Sequence, residues 1–250
     1  MRRLAMLTAM MGGATYKQKL VSVFGANLIS APDLSLTSGA TVPDLSGNGR
    51  TVAITGWDLA NAAGPDGKPT IYADGVNDYG DWYSASLNTA LNKGEFTLGI
   101  WVKVNSAAIW TNGLAHYAAD LEANSSNYIR LQKTTTNSYL EWVYKAGGTT
   151  KFGDITPMST TDWYFTALSV SRSAGANGEM KTFGAIKGAA LAQIGATVTG
   201  LGTWSGDLAE NYTLIGAISK TPTLPWYGWL AYPMLINGPQ TLETMQKVML

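Results

Sequence analysis

The sequence predicts an all-β chain folded as an antiparallel two-sheet sandwich or jelly roll. Three observations carry that expectation. Apolar residues recur at every second position in several segments, the period of a strand with one buried face. Clusters of Gly, Asn, Asp and Ser separate those segments. Almost no stretch shows helical spacing.

In chain order, residues 1–40 are irregular and read as an N-terminal arm and lead-in; residues 41–250 read as one sandwich domain. Within the lead-in, KLVSVFGANLIS is compatible with one strand or a short helix. RTVAITG alternates and stops at Gly56. FTLGIWVKV places Phe96, Leu98, Ile100, Val102 and Val104 on one face. SNYIRLQKT and SYLEWVYKA flank a Thr- and Asn-rich turn and predict a hairpin. WYFTALSVSRS predicts a long strand that pairs with EMKTFGAIKGAAL across the turn AGANG. NYTLIGAI and WYGWLAYPMLING close the series. The last segment, GPQTLETMQKVML, has Leu242, Met245 and Val248 at helical spacing, with Thr241 as N-cap.

Composition narrows the function. A chain of 250 residues can bury a sizeable core without staples, and it contains no cysteine. Disulfides, thiolate metal sites and thiol nucleophiles are therefore excluded. Lys+Arg and Asp+Glu both number 17, so no basic excess points to nucleic acid. Charged residues make up 14% of the chain, against about 25% in ordinary domains. Much of the surface is then Ser, Thr, Asn and Gly, or is covered by other chains. No apolar run reaches the length of a membrane span.

The first residues place Arg2 and Arg3 before an apolar run from Leu4 to Met11. That outline resembles a signal peptide with Ala14 near a cleavage point, but the run is short for one. We read it instead as an uncleaved arm that docks on a partner. Leu4, Leu7, Met10 and Met11 form its apolar stripe, and Arg2 and Arg3 meet an acidic neighbour.

The stretch PDLSGNGRTVAITG, residues 43–56, gathers turn chemistry ahead of a strand. Asp44 and Ser46 suit Asx- and ST-type turns, and Gly47, Asn48 and Gly49 tolerate positive φ. A tight reversal explains the stretch without a ligand.

Several motifs now stand in order: VPDLSGNGRTVAITG, DGVNDYGDW, FTLGIWVKV, TDWYFTALSVSRS, KTFGAIKGAAL, YTLIGA and WYGWLAYPMLINGPQTLETM. The series resembles the laminin-G-like, concanavalin A-like jelly-roll superfamily. Departures exist: Ala231 and Tyr232 replace that family's closing Asp-Glu pair, and its V-D-G turn reads Ile186-Lys187-Gly188. The resemblance implies calcium bound by carboxylates near such turns, here Asp74, Asn77, Asp78 and Asp81, with carbonyls completing the six to eight oxygens calcium takes. The same four also read as turn residues around a strand start. Members of the superfamily occur in tailed-phage virion proteins and in secreted adhesins.

Catalysis finds little footing. AADLEAN offers Asp120 and Glu122 on one strand face, but Ala118 stands where a hydrolase would carry a further acid. A Ser-His-Asp arrangement would have to use the single histidine, His116, and no G-x-S-x-G elbow is present. Nine tryptophans remain. Trp101, Trp142 and Trp163 fall within strands and read as core. Trp57, Trp82, Trp110, Trp204 and Trp226 lie near turns and read as a contact surface.

The sequence thus leads us to expect a non-enzymatic structural or accessory protein of a phage virion, a capsid decoration or tail component assembled in the host cytoplasm. Its partners would be other virion proteins or copies of itself. A secreted module binding cell-surface glycan is the rival expectation, and a glycoside hydrolase relative the third. No catalytic residue, no cofactor beyond calcium, no nucleic acid and no membrane is expected.

Overall fold

The computed structural model describes residues 15–250. In chain order its strands are β1 (Leu28–Ser30), β2 (Thr41–Val42), β3 (Val52–Thr55), β4 (Asp58–Ala63), β5 (Pro69–Asp74), β6 (Tyr79–Asp81), β7 (Glu95–Val104) and β8 (His116–Asn124). Then come β9 (Asn127–Lys133), β10 (Leu140–Ala146), β11 (Thr149–Ile155), β12 (Tyr164–Ser171), β13 (Glu179–Ile186), β14 (Ala192–Thr199), β15 (Thr213–Ile215) and β16 (Tyr227–Asn237). Among the described residues three short α-helices accompany them: α1 (Tyr16–Phe24), α2 (Ala85–Ala90) and α3 (Leu242–Gln246).

The strands form two eight-stranded sheets. The first runs β14-β13-β12-β7-β16-β5-β4, with β1 also paired to β16; the second runs β11-β10-β9-β8-β15-β6-β3-β2. All the pairings within them are antiparallel. The hairpins expected for β9–β10 and β12–β13 form, as does the C-terminal helix capped by Thr241.

Period-two alternation decides what lies between the sheets. Phe96, Leu98, Ile100, Val102 and Val104 of β7 face Ile129, Leu131, Leu140 and Trp142 of the second sheet in one buried cluster. The indole N–H of Trp142 donates across the sandwich to Thr166 Oγ1 at 2.8 Å. The intervening residues of the first sheet are apolar too. Trp101, Phe165, Ala167, Phe183, Ala231 and Met234 form a second cluster on its outer face, where Tyr16, Leu20 and Phe24 of α1 and Met245 and Val248 near α3 cover them. The first sheet is therefore buried on both faces, which is why β7, β12 and β16 read as nearly continuous apolar runs.

The described part of the lead-in, from residue 15 to residue 40, is in contact with this sandwich: α1 packs on it and β1 pairs with β16. The ambiguous KLVSVFGANLIS is helix first, then strand. The expected arm residues Arg2, Arg3, Leu4, Leu7, Met10 and Met11 lie outside the described residues.

The PDLSGNGR turn is the clamp that holds β1. Asp44 accepts from Ala31 N at 2.9 Å, Ser46 N at 3.0 Å and Arg50 N at 3.1 Å. Asn48 Nδ2 donates to the Leu28 and Ile29 carbonyls. Gly47 and Gly49 stand at φ 84° and 71°, as the turn reading requires.

Candidate functional site

Among the described residues, the outer face of the second sheet lacks the helical cover that α1 and α3 give the first. Across β8–β11 its outward side chains form a grid of three rows set by the strand register. Tyr117, Gln132, Glu141 and Asp154 make one row; Asp120, Arg130, Val143 and Phe152 the next; Glu122, Tyr128, Lys145 and Thr150 the third. The inward partners of the same strands, Ile129, Leu131, Leu140, Trp142 and Tyr144, are core. Alternation thus gathers these polar side chains on one surface, while His116 and Lys133 of the same strands are buried in the inward row of Leu140.

Arg130 is the centre of the grid. Its Nε donates to Asp120 Oδ1 at 3.2 Å and its Nη2 to Asp120 Oδ2 at 3.0 Å and Glu122 Oε2 at 3.1 Å. The guanidinium lies 4.4 Å from the Tyr128 ring centroid and 5.2 Å from that of Tyr117. Lys145 Nζ lies 5.5 Å from the Tyr128 centroid. Gln132 Nε2 donates to Glu141 Oε1 at 2.6 Å. The Asp120 carboxyl is drawn two ways: burial raises it, Arg130 lowers it, and burial is the larger. Burial likewise raises Glu122 and Glu141. The surface is half-buried, richly hydrogen-bonded and flanked by aromatic rings, with Phe152 exposed at its rim.

Asp120 and Glu122 were the sequence's best acid pair. The structure does place them side by side, but Arg130 Nη2 binds both. A guanidinium occupies the position between them. His116 is buried; its ring nitrogens meet the Pro225 carbonyl at 2.9 Å and Asn112 Nδ2 at 3.0 Å. Burial lowers its pKa, and both nitrogens are engaged.

Of the four expected calcium ligands, Asp74, Asn77 and Asp78 are neighbours and Asp81 is engaged elsewhere. Asp81 turns to Lys220, 2.7 Å away, and its other oxygen accepts from Tyr83 N. Asp74 Oδ1 accepts from Val76 N at 2.8 Å. Asp78 is buried; one oxygen accepts from Asp74 N and the other, Oδ1, has no partner. Asp78 Oδ1, the Asn77 carbonyl and Asn77 Oδ1 come within 2.5–3.0 Å of where a Cβ on Gly56 would stand. Even with the Asp74 carboxyl, which already accepts from Val76 N, these side chains supply fewer than the six to eight oxygens that calcium takes. Among the described residues no group of three or more His, Asp or Glu is placed to hold a metal. Burial and the neighbouring Asp74 instead raise the Asp78 carboxyl to about 7.

The expected tryptophan surface is also corrected. Trp57, Trp82, Trp110 and Trp226 are buried, and Trp204 is half-buried against the core. Turn-adjacent tryptophans here plug the ends of the sandwich. Three of their N–H groups tie down distant partners: Trp82 donates to Ser30 Oγ at 2.9 Å, Trp110 to the Thr160 carbonyl at 2.8 Å and Trp226 to the Lys103 carbonyl at 3.3 Å. Sequence reading missed Tyr117, Tyr128, Arg130, Gln132, Glu141 and Lys145. The available signal was the alternation within SNYIRLQKT and SYLEWVYKA, which sets Tyr128, Arg130 and Gln132 on one face and Glu141 and Lys145 on one face.

Two packed antiparallel sheets of this order, closed by a long last strand lying between β5 and β7, decide the architecture. The fold is a jelly-roll β-sandwich. Solved structures agree. Domain 4 of AbnA, a GH43 extracellular arabinanase from Geobacillus stearothermophilus, solved with arabinotriose, matches with a TM-score of 0.63 at 16% identity, over 90% of this chain and 98% of that one. The binding domain of botulinum neurotoxin serotype D matches at 0.59 and 12% identity, over 91% and 51%. The Trypanosoma rangeli sialidase in complex with 2,3-difluorosialic acid matches at 0.59 and 12%, over 90% and 33%. At these identities the likeness is one of fold. No protein-family model and no curated protein matches the chain.

Proposed function

We propose that the chain is a non-catalytic glycan-binding module whose ligand lies on the open face of the second sheet. One observation carries this reading. The only grid of half-exposed aromatic and hydrogen-bonding side chains described above, Tyr117, Tyr128, Gln132, Glu141 and Lys145 around Arg130, stands on a sheet face without helical cover. Sugar rings stack on aromatic side chains, and their hydroxyls need planar donors and acceptors held in place. The arabinanase domain of the same fold, solved with arabinotriose, supports the reading by analogy. The Asp120–Glu122 pair is disfavoured as hydrolytic machinery because Arg130 Nη2 binds both carboxyl groups. The virion role expected from the sequence has no such support, since none of the structural neighbours named above is a virion protein.

The test is a glycan array followed by titration calorimetry. Saturable binding to an oligosaccharide is expected, weakened at least about tenfold by Tyr128→Ala and by Gln132→Ala. Absence of saturable binding, or binding indifferent to both variants, would overturn the proposal.

A further inference from the structure

We infer that the open face selects neutral oligosaccharides, pentose or hexose chains without carboxylate or sulfate groups, and rejects anionic ones. This rests on the reading of that face as the glycan site. The grid carries four carboxyl groups, Asp120, Glu122, Glu141 and Asp154, the first fully buried beside Arg130, against two cations, Arg130 and Lys145. Arg130, the central cation, is not free to meet an incoming anion, and Lys145 alone faces the carboxyl groups around it. Arg130 is held by Asp120 through two nitrogens and by Glu122 through one of them. Lys145 sits by the Tyr128 ring in the row of Glu122, whose carboxylate it already favours. Beside β6 of the same sheet, Lys220 bridges Asp81 at 2.7 Å and Glu210 at 3.2 Å.

At the other edge the balance is plainly negative. Glu141 and Asp154 pair across β10 and β11 with Gln132 as the donor to Glu141, and Asp154 makes the Glu141 carboxyl harder to ionise. A sugar carboxylate or sulfate approaching this surface meets like charge in a partly desolvated setting, where repulsion is screened least. A neutral sugar meets the reverse. Vicinal hydroxyls donate to carboxylate oxygens, and charge-assisted hydrogen bonds of that kind are the stronger sort. The side chains that repel an anionic glycan are the ones that accept from a neutral one.

The test uses the intact protein and matched pairs of probes sharing one backbone: lactose-type oligosaccharides with and without sialic acid, and neutral pentose or hexose oligomers beside their uronate or sulfated counterparts. Titration at low and high salt should show the neutral member binding at least about tenfold more tightly, with little dependence on salt. The double variant Glu141→Gln/Asp154→Asn, with melting compared to wild type to verify its fold, should narrow that gap. An anionic member binding equally or more tightly, and losing binding in Tyr128→Ala, would keep the face as a glycan site but overturn its neutral selectivity. So would a gap unchanged in the double variant. If no member of any pair binds, the glycan reading itself fails and this inference fails with it.

Discussion

Asp78 shows how a single residue can be satisfied in two ways that pH tells apart. It is buried, one oxygen has no partner, and burial and Asp74 raise its carboxyl to about 7. In the unfolded chain the same carboxyl titrates near about 3.9. Between those values the folded state holds a proton that the unfolded state releases, so stability falls as pH rises from about 4 through about 7. A bound cation would require ionised carboxylates and would give the opposite slope. We expect the stability of the wild type relative to Asp78→Asn to fall by about 2 kcal/mol between pH 5 and pH 7. Chelator should leave both proteins unchanged. Relative stability that rises with pH and drops in chelator would instead place a cation beside Asp78 and Asn77.

At the level of elements, α1 is the least expected piece and among the most consequential. Thr15 caps it in a capping box with Gln18, and Tyr16, Leu20 and Phe24 stand at i, i+4 and i+8 on one buried face. Leu20→Ala should cost about 2–4 kcal/mol in a urea melt, since it opens a cavity against the outer face of the first sheet. A cost below about 1 kcal/mol would mean that the helix merely rests on the sheet. The sequence made β7, β9, β10, β12 and β13 legible because each carries alternating or continuous apolar residues. It left β4 and β14 obscure for a physical reason. Both are edge strands, bonded on one side, and DLANAA and AQIGATVT bury too little to show a period. In KLVSVFGANLIS the apolar spacing suits a short helix and a short strand equally, and only the sheet behind it decides. The grid on β8–β10 was half legible. Its polar positions show in the sequence, but the register that sets Arg130 opposite Asp120 and Tyr128 opposite Glu122 arises only on folding.

The whole molecule divides its labour between two faces. The outer face of the first sheet is sealed by α1 and α3 and contributes to stability; that of the second carries the polar grid and, on the reading above, the ligand. The residues on these faces are separated by both sheets and the core between them, and packed sheets stand about 10 Å apart. Substitutions at that separation, with no shared partners, act independently to within about 0.5 kcal/mol. Leu20→Ala should therefore lower the melting temperature without changing glycan affinity. Tyr128→Ala should cut affinity at a stability cost of only about 1 kcal/mol, the worth of its contact with Arg130. In the double variant the two stability costs should add, and affinity should match that of Tyr128→Ala alone. Calorimetric titration and urea melts of the four proteins decide it. A loss of affinity in Leu20→Ala, or stability costs that fail to add, would show that the core transmits strain from one face to the other, and the two faces would then have to be treated as one coupled unit.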